Sequence, residues 1–222
     1  MQRVLEPEWL DELPPSDARA ARSRLDLRRI NGLMGNARHL ARVLEGPVLR
    51  IADLGAGDGS VMLSVARRLQ RPGVELTLVD QAAYPVPEAF TFLGWKAVAV
   101  RDDVFDFLAH REPHFDAIVA NLFLHHFERE RLRRLLELIA ARTALFVACE
   151  PRRTQLALQA SRLVGVLGCN DVTRHDAVVS VRAGFTGREI SELWPHEWGW
   201  RLSETAAWPF SHLFVAQRDA TL

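Results

Sequence analysis

Three glycines at alternate positions follow an apolar run near residue 50 and could cradle a bound ligand. Residues 48–59 read VLRIADLGAGDG, and a helix-like pattern follows over residues 60–70. Glycine has no Cβ, so Gly55, Gly57 and Gly59 can adopt positive φ and let backbone approach a ligand closely. The following helix would direct its unpaired N-terminal N–H groups at that ligand. The pattern therefore predicts a strand, a ligand-binding turn and a helix.

Two acidic residues refine the kind of ligand. Asp53 stands two residues before the first glycine, and Asp80 ends the next apolar run. A carboxylate accepts two hydrogen bonds at once, so Asp80 could bind both hydroxyls of a ribose. A dinucleotide-binding turn would read G-x-G-x-x-G, whereas this chain has Ser60 where that pattern requires glycine. These details argue against a dinucleotide as the ligand of the turn.

Adjacent histidines are the best candidates for proton transfer. His125 and His126 follow the run AIVANLFL of residues 117–124, directly after a predicted strand. Histidine titrates near neutral pH and can remove a proton from a phenol or hydroxyl. The structural alternative is that one histidine caps the next helix while the other packs beneath it. The sequence leaves both open.

A second polar cluster, CNDVTRHD, occupies residues 169–176 after an apolar helix. No element can be assigned to residues 170–184, which we expect to form a loop. As a lid over an acceptor, this loop would bring His175 and Arg174 to the reaction; as a solvated loop it would give them no role. Residues 31–36, NGLMGN, are similarly either a hinge or a plain turn between helices.

Strand-like and helix-like segments alternate along the chain and predict a doubly wound α/β fold. The strands are apolar without alternation, as expected when helices cover both faces of a parallel sheet. Predicted strands span residues 48–54, 74–80, 96–100, 115–120 and 144–149, and predicted helices span 60–70, 128–142, 154–167 and 187–193. Two short helices are expected within residues 17–44, and a closing hairpin within 199–217.

Tryptophan and cysteine, which sometimes form sites, are interpreted as structural here. Cys149 and Cys169 lie in apolar company without a metal-ligand spacing, which favours buried thiols over a disulfide or a zinc site. Four tryptophans are assigned to the C-terminal core and hairpin rather than to an aromatic binding site: Trp194, Trp198, Trp200 and Trp208.

Residues 48–150 resemble class I methyltransferases that use S-adenosyl-L-methionine. The segment 53–59 resembles the family's first motif, and Asp80 matches its ribose-binding acid. Asp103 with Val104 resembles the pair that contacts the adenine, while Asn121 matches the end of the fourth strand. The resemblance implies a Rossmann-like seven-stranded sheet, mostly parallel with an antiparallel last strand. The cofactor-binding residues that it implies are Asp53, Gly55, Ala56, Gly57, Gly59, Asp80, Gln81, Asp103, Val104, Asn121 and Leu122.

The resemblance also implies a domain organisation and an acceptor class. A helical N-terminal cap would span residues 1–46 and the methyltransferase domain residues 47–222. The chain lacks the Pro-Pro-aromatic sequence of enzymes that methylate nucleic-acid bases and the glutamate pair of arginine methyltransferases. A small aromatic or lipophilic acceptor remains, with O-methylation of a phenol or hydroxyl favoured and C- or N-methylation open.

The expected catalytic residues are His125, His126 and His175, with no metal. Residues 170–184 also resemble bacterial methyltransferases of polyketide and phenolic-lipid biosynthesis, which indicates secondary metabolism. Two other classes stay open: a nicotinamide-dependent oxidoreductase on the same fold, and a non-catalytic partner protein that keeps the cofactor fold.

Composition excludes several partners. The 222 residues fit one domain with a substantial core, and 28 basic against 28 acidic residues leave no electrostatic footprint for nucleic acid. The N-terminal residues include no apolar signal segment, and no run reaches the roughly 18 apolar residues of a membrane span. We therefore expect a soluble cytoplasmic protein, monomeric or homodimeric, that acts on a small molecule.

Overall fold

The computed structural model describes residues 1–14, 16–81, 86–110, 114–195 and 199–219. Its strands are β1 Arg50–Leu54, β2 Glu75–Asp80, β3 Lys96–Arg101, β4 Ala117–Asn121, β5 Leu145–Pro151, β6 Trp200–Ala207 and β7 Ser211–Arg218. Its helices are α1 Trp9–Glu12, α2 Ala18–Met34, α3 Asn36–Val43, α4 Ser60–Leu69, α5 Glu88–Thr91, α6 Val104–His110, α7 Arg129–Ala140, α8 Gln155–Arg162 and α9 Asp171–Ala183. Short 3-10 helices span Leu124–His126 and Val164–Leu167.

The strands form one sheet in the order β3-β2-β1-β4-β5-β7-β6. β1 to β5 pair in parallel, and β7 pairs antiparallel with both β5 and β6. In the register, Leu54 lies opposite Val79 of β2 and Ala120 of β4. The carboxyl ends of the central strands therefore meet at one edge, where ligands bind in open α/β sheets. The predicted doubly wound sheet with an antiparallel last strand is confirmed.

Continuous apolar strands build a core on each face of the sheet. Phe146 of β5 packs in one buried cluster with Leu135 and Trp194, and the next residue, Val147, packs in the opposite cluster with Leu40 and Met62. Alternate strand residues point to opposite faces, so a strand covered on both sides must be apolar throughout. This pattern holds the central strands rigidly beneath their carboxyl-terminal edge.

The segment 170–184, expected to be a loop, is helix α9, so that prediction was wrong. Asn170 caps the helix by accepting a 2.9 Å hydrogen bond from the Thr173 backbone N–H. Val172 and Val179 are buried on one face. Polar residues in the first turn concealed this apolar face, and a loop lid formed by the segment is excluded.

Other boundaries also differ from expectation. α2 continues through Asn31-Gly32, and the break falls only at Gly35, whose φ of +68° ends the helix. The helix expected over residues 154–167 becomes α8 followed by a 3-10 turn, and residues 187–193 form turns. Trp194 is 1% exposed as predicted, whereas Trp208 is 85% exposed. Trp198 lies outside the described residues.

The first eight residues are extended and run along the 3-10 helix after β4. The guanidinium of Arg3 donates hydrogen bonds to the backbone carbonyls of Ala183, His125 and Phe127. Both cysteines are buried free thiols, as predicted. Among the described residues, no helix combines the length and apolar character that crossing a membrane requires.

Candidate functional site

The glycine turn between β1 and α4 adopts a backbone that only glycine takes without strain. Gly55, Gly57 and Gly59 have φ values of +68°, +57° and +76°. The N–H groups of Gly55 and Ala56 both donate to the carbonyl of Val79, at 2.9 and 3.0 Å, which ties the turn to β2. None of the described residues has a heavy atom within 4 Å of a Cβ built on Gly57. The turn thus leaves open space above Gly57.

Two carboxylates border this turn. Asp53 is 4% exposed, and burial, with a smaller contribution from the charge of Asp80, raises its pKa to about 8. Oδ2 of Asp80 accepts a 2.9 Å hydrogen bond from the Gly57 N–H. Among the described residues, no donor forms a hydrogen bond with the Asp53 carboxylate. A buried acceptor with no protein donor is suited to a ligand that carries N–H or O–H groups.

A second pair of predicted residues lies beyond β2. Nε2 of Gln81 donates to Oδ2 of Asp103 at 2.5 Å. Oδ1 of Asp103 accepts the N–H of Phe105 at 2.7 Å and so caps α6, which begins at the buried Val104. These contacts bring the side chains after β2 and β3 together at the same edge as the glycine turn.

The end of β4 carries Asn121 and Leu122, which are held in unusual environments. Oδ1 of Asn121 accepts a 2.8 Å hydrogen bond from the fully buried Asn36 of α3. Leu122 has φ of +52°, one of two positive-φ non-glycine residues in the described chain. The ring of Phe123 then lies against the glycine turn, 2.2 Å from a Cβ built on Gly55. Gly55 is therefore required for the approach of Phe123 as well as for its own φ.

Glu150, at the end of β5, organises the 3-10 helix that carries the histidines. Its fully buried carboxylate accepts the N–H groups of Phe123 and Leu124 at 3.0 and 2.9 Å through Oε1. Its Oε2 lies 2.8 Å from Nδ1 of His125. A carboxylate only accepts here, so Nδ1 of His125 donates this hydrogen bond, and Nε2 is the ring nitrogen that faces away from Glu150.

Nε2 of both histidines faces Glu8 of the N-terminal segment. Nε2 of His125 lies 3.4 Å from Oε1 of Glu8, and Nε2 of His126 lies 3.5 Å from Oε2. Burial alone would lower the pKa of His126, but the Glu8 carboxylate outweighs it and raises that pKa to about 9. The three side chains border a cavity of about 330 Å³. The adjacent histidines and Glu8, which is distant in sequence, thus form one polar cluster.

His175 lies in a different environment, on α9. Its Nδ1 is 2.9 Å from Oδ1 of Asp176, and its ring stacks on Trp9 with centroids 3.9 Å apart. The same Asp176 carboxylate caps α1 by accepting the N–H groups of Trp9 and Leu10. The structure brings His125 and His126 together with Glu8 and places His175 at the joint between α1 and α9.

Sequence reasoning missed several residues of this region. Glu150 follows a predicted strand directly, and an acid at that position of a central strand was a usable signal. Phe123 lies two residues before His125, but the sequence gives no sign of its contact with Gly55. Glu8 is separated from His125 by 117 positions, so only the tertiary structure reveals the pair.

The sheet order and the glycine turn define a Rossmann-like methyltransferase fold, and comparison identifies the family. A family model described as a methyltransferase domain matches residues 52–163, which is half of the chain. The chain therefore belongs to the methyltransferase domain family, and the predicted class I methyltransferase is confirmed. Comparison with curated proteins gives no significant match.

Solved structures agree on the fold. An O-methyltransferase family protein from Burkholderia thailandensis matches with a TM-score of 0.61 and 16% identity, over 93% of this chain and 62% of that chain. A putative O-methyltransferase from Nostoc punctiforme matches with a TM-score of 0.63 and 16% identity, over 98% of this chain and 64% of that chain. The plantazolicin methyltransferase BamL matches with a TM-score of 0.67 and 12% identity, over 95% of this chain and 92% of that chain. Its structure is a complex with a triazolic desmethylPZN analog and SAH.

These identities establish the fold alone. The chain spans less than two thirds of the length of the two O-methyltransferase structures. The acceptor must therefore be argued from the residues of this chain.

Proposed function

We propose that this protein transfers a methyl group from S-adenosyl-L-methionine to a small aromatic or lipophilic acceptor, with a phenol or hydroxyl oxygen as the favoured site. The observation that carries the proposal is the glycine turn at the edge of the sheet, with Asp53 and Asp80 beside it. When bound, the cofactor supplies an electrophilic methyl group. All other contributions come from residues of this chain.

The residues at the sheet edge fit that cofactor. The space above Gly57 is free of described protein atoms, so backbone can approach a ligand there. Asp53 provides a buried acceptor without a donor among the described residues, and Asp80 provides a carboxylate next to the turn. A cofactor with an amino-acid group and a ribose requires such acceptors together with free backbone N–H groups. The bound SAH in the BamL structure supports this assignment.

The remaining predicted cofactor residues lie along the same edge. Gln81, Asp103 and Val104 follow β2 and β3 and would contact the adenine, while Asn121 and Leu122 end β4. Holding the cofactor across four strand ends fixes its orientation, and alignment of the reacting atoms can contribute about 7–11 kcal/mol to a transfer step.

The acceptor would bind on the side of the His125–His126 cluster. The cavity there is bordered by apolar side chains, including Leu5 and Val179, and by the polar cluster with Glu8. A wall that is apolar in part and carries ionisable side chains elsewhere suits a small organic molecule with a polar group. His126, with its Nδ1 held by the Phe123 carbonyl at 3.0 Å, presents Nε2 to the same cluster. A hydroxyl acceptor would lie beside this cluster, and its proton would leave there.

His175 contributes from α9 in this proposal. The stack on Trp9 and the bond to Asp176 make His175 a support for α1, which ends the N-terminal segment that carries Glu8. Residues 1–46 would act as the cap of the site and residues 47–222 as the methyltransferase domain. Contacts of Arg3 and Asn36 with the elements after β4 support that division.

A calorimetric titration with SAH tests the cofactor assignment. Asp80→Ala removes the carboxylate beside the turn and should weaken SAH binding by about 1–3 kcal/mol, or 5- to 150-fold. Gly57→Ala meets no atom of the described residues within 4 Å but fills the open space and strains the positive-φ turn, so SAH affinity should fall, and circular dichroism shows that the variant is folded. Asp106→Ala, on the exposed side of α6, is the matched control. NAD(H) binding in place of SAH would indicate the oxidoreductase instead.

The acceptor is tested with labelled cofactor and a panel of phenols, quinols and polyketide-like compounds. Product mass and position distinguish O-methylation from C- and N-methylation. Tight SAH binding with no transfer to any class of small acceptor would favour the non-catalytic partner protein.

A further inference from the structure

We propose that Glu8, His125 and His126 form a binding site for a divalent transition metal of the zinc type. Their three ligand atoms all lie within 4.8 Å of one another. Nε2 of His125 is 3.4 Å from one Glu8 oxygen, and Nε2 of His126 is 3.5 Å from the other. Tetrahedral zinc with bonds of about 2.0–2.2 Å holds its ligand atoms about 3.3–3.5 Å apart. The two distances from the histidines to Glu8, each to a different carboxylate oxygen, match that spacing.

The second ring nitrogen of each histidine is already fixed. Nδ1 of His125 bonds the Glu150 carboxylate at 2.8 Å, and Nδ1 of His126 bonds the Phe123 carbonyl at 3.0 Å. Both acceptors take a proton from Nδ1, so Nε2 is the ring nitrogen of each histidine that would bind the ion, which would displace the Nε2 proton that Glu8 favours on His126. Metal-binding histidines characteristically donate their other N–H to a carboxylate or carbonyl in this way. A simple ion pair with Glu8 would form without these two Nδ1 hydrogen bonds, so the fixed orientation of both rings favours a metal site.

The charge around the cluster is suited to a cation. The side of the cavity next to the histidines is bordered by four carboxylates: Glu6, Glu8, Asp11 and Glu128. Glu150 adds a fifth carboxylate behind His125. Arg182 forms an ion pair with Glu6, and Arg3 directs its guanidinium to backbone carbonyls. A divalent ion would offset much of this negative charge.

The geometry leaves an open coordination position. Glu8 and the two histidines supply three protein ligands, the number found in catalytic rather than structural zinc sites. Oδ2 of Asp11 lies 4.0 Å from Nε2 of His126, but Asp11 is not among the three residues whose ligand atoms all lie within 4.8 Å of one another. All three of those residues line the cavity of about 330 Å³, so a fourth ligand could reach the ion from the cavity. Resting on the proposed function, we infer that an acceptor hydroxyl binds there, where a cation lowers the pKa of the oxygen and its proton leaves to solvent.

Metal titration of the tag-free protein tests the site. After dialysis against chelator, the protein is titrated with Zn²⁺ by calorimetry and with Co²⁺ by visible absorption. We expect one equivalent of each ion to bind, and Co²⁺ to give the strong d–d absorption of four-coordinate geometry. Glu8→Gln and His126→Ala should each abolish that signal. His110→Ala, which removes an exposed histidine from α6, should bind normally.

A positioning variant separates metal binding from a mere ion pair. Glu150→Gln leaves the three ligands in place but weakens the orientation of His125, so Zn²⁺ affinity should fall about 10- to 100-fold. Circular dichroism establishes that each variant is folded. Absence of stoichiometric binding in the wild type, or unchanged binding in Glu8→Gln and His126→Ala, would overturn the site.

The outcome is independent of the cofactor assignment. SAH binding without metal binding would remove this inference and leave the proposed function intact. Metal binding without SAH binding would leave the metal site intact and remove the proposed function.

Discussion

Asp53 carries an ionisable group in a position where charge is costly. Burial, with a smaller contribution from the Asp80 charge, raises its pKa to about 8, whereas an aspartate in the unfolded chain titrates near about 4. Between these values the folded state holds a proton that the unfolded state has lost. Stability from this group is complete below about pH 4 and is lost as pH rises to about 8.

Asp53→Asn should therefore change the pH dependence of stability in the absence of ligand. The wild type loses up to about 1.4 kcal/mol of unfolding free energy per pH unit through this group. Asn cannot titrate, so the variant should become more stable relative to wild type as pH rises from about 5 to 8. Urea unfolding at several pH values measures the difference. Asp106→Asn is the control. If the free energy of unfolding changed equally with pH in Asp53→Asn and in the wild type, the raised pKa of Asp53 would be contradicted.

At the scale of elements, the N-terminus of α9 links the C-terminal half to α2. Oδ1 of Asn170 accepts the N–H of Thr173 at 2.9 Å, and its Nδ2 donates to the carbonyl of Arg19. The backbone N–H of Asn170 also reaches the buried Asp26. One residue thus caps one helix and joins it to another.

Asn170→Ala should destabilise the protein by about 1 kcal/mol, within the range of about 0.5–2 kcal/mol for the loss of a cap. For a domain of this size, that loss lowers Tm by about 2–4 °C. Thermal unfolding followed by circular dichroism measures it. Asn170→Ser keeps the capping oxygen and should recover most of the loss. Equal destabilisation by Ser and Ala would show that the cap is not the cause.

The elements that sequence analysis predicted well are those whose apolar pattern is local. β2 was expected at residues 74–80 and occurs at Glu75–Asp80, because a buried parallel strand is apolar throughout. α9 was missed because its first turn is polar and only half of its surface is buried. The proposed cofactor residues were likewise open to sequence reasoning, since they lie at or shortly after the ends of β1 to β4.

The histidine side was predictable only in part. His125 and His126 could be named because they follow β4 directly. Their partners Glu8 and Glu150 come from the N-terminal segment and from β5, and sequence spacing does not encode which distant carboxylate reaches a given ring. His175 could be named as a polar residue, but its stack on Trp9 depends on the packing of α1 against α9.

On the scale of the whole molecule, the N-terminal helices are connected to the glycine turn by an ion pair. Arg28 of α2 bonds Oδ2 of Asp58, whose Oδ1 accepts the Ser60 N–H at 2.9 Å. Burial alone would raise the pKa of Asp58, but the bonds from Ser60 and Arg28 outweigh it and lower that pKa. The charge of Asp58 thus joins the turn to α2.

Arg28→Ala should separate cofactor binding from global stability. The Arg28 side chain is 53% exposed, so its ion pair contributes only about 0–1 kcal/mol to the free energy of unfolding. If residues 1–46 cap the site, the loss of this connection should weaken SAH binding several-fold while Tm changes little. Arg67→Ala, an exposed arginine of α4, is the matched control. Unchanged SAH affinity in Arg28→Ala would contradict a role of this ion pair in cofactor binding.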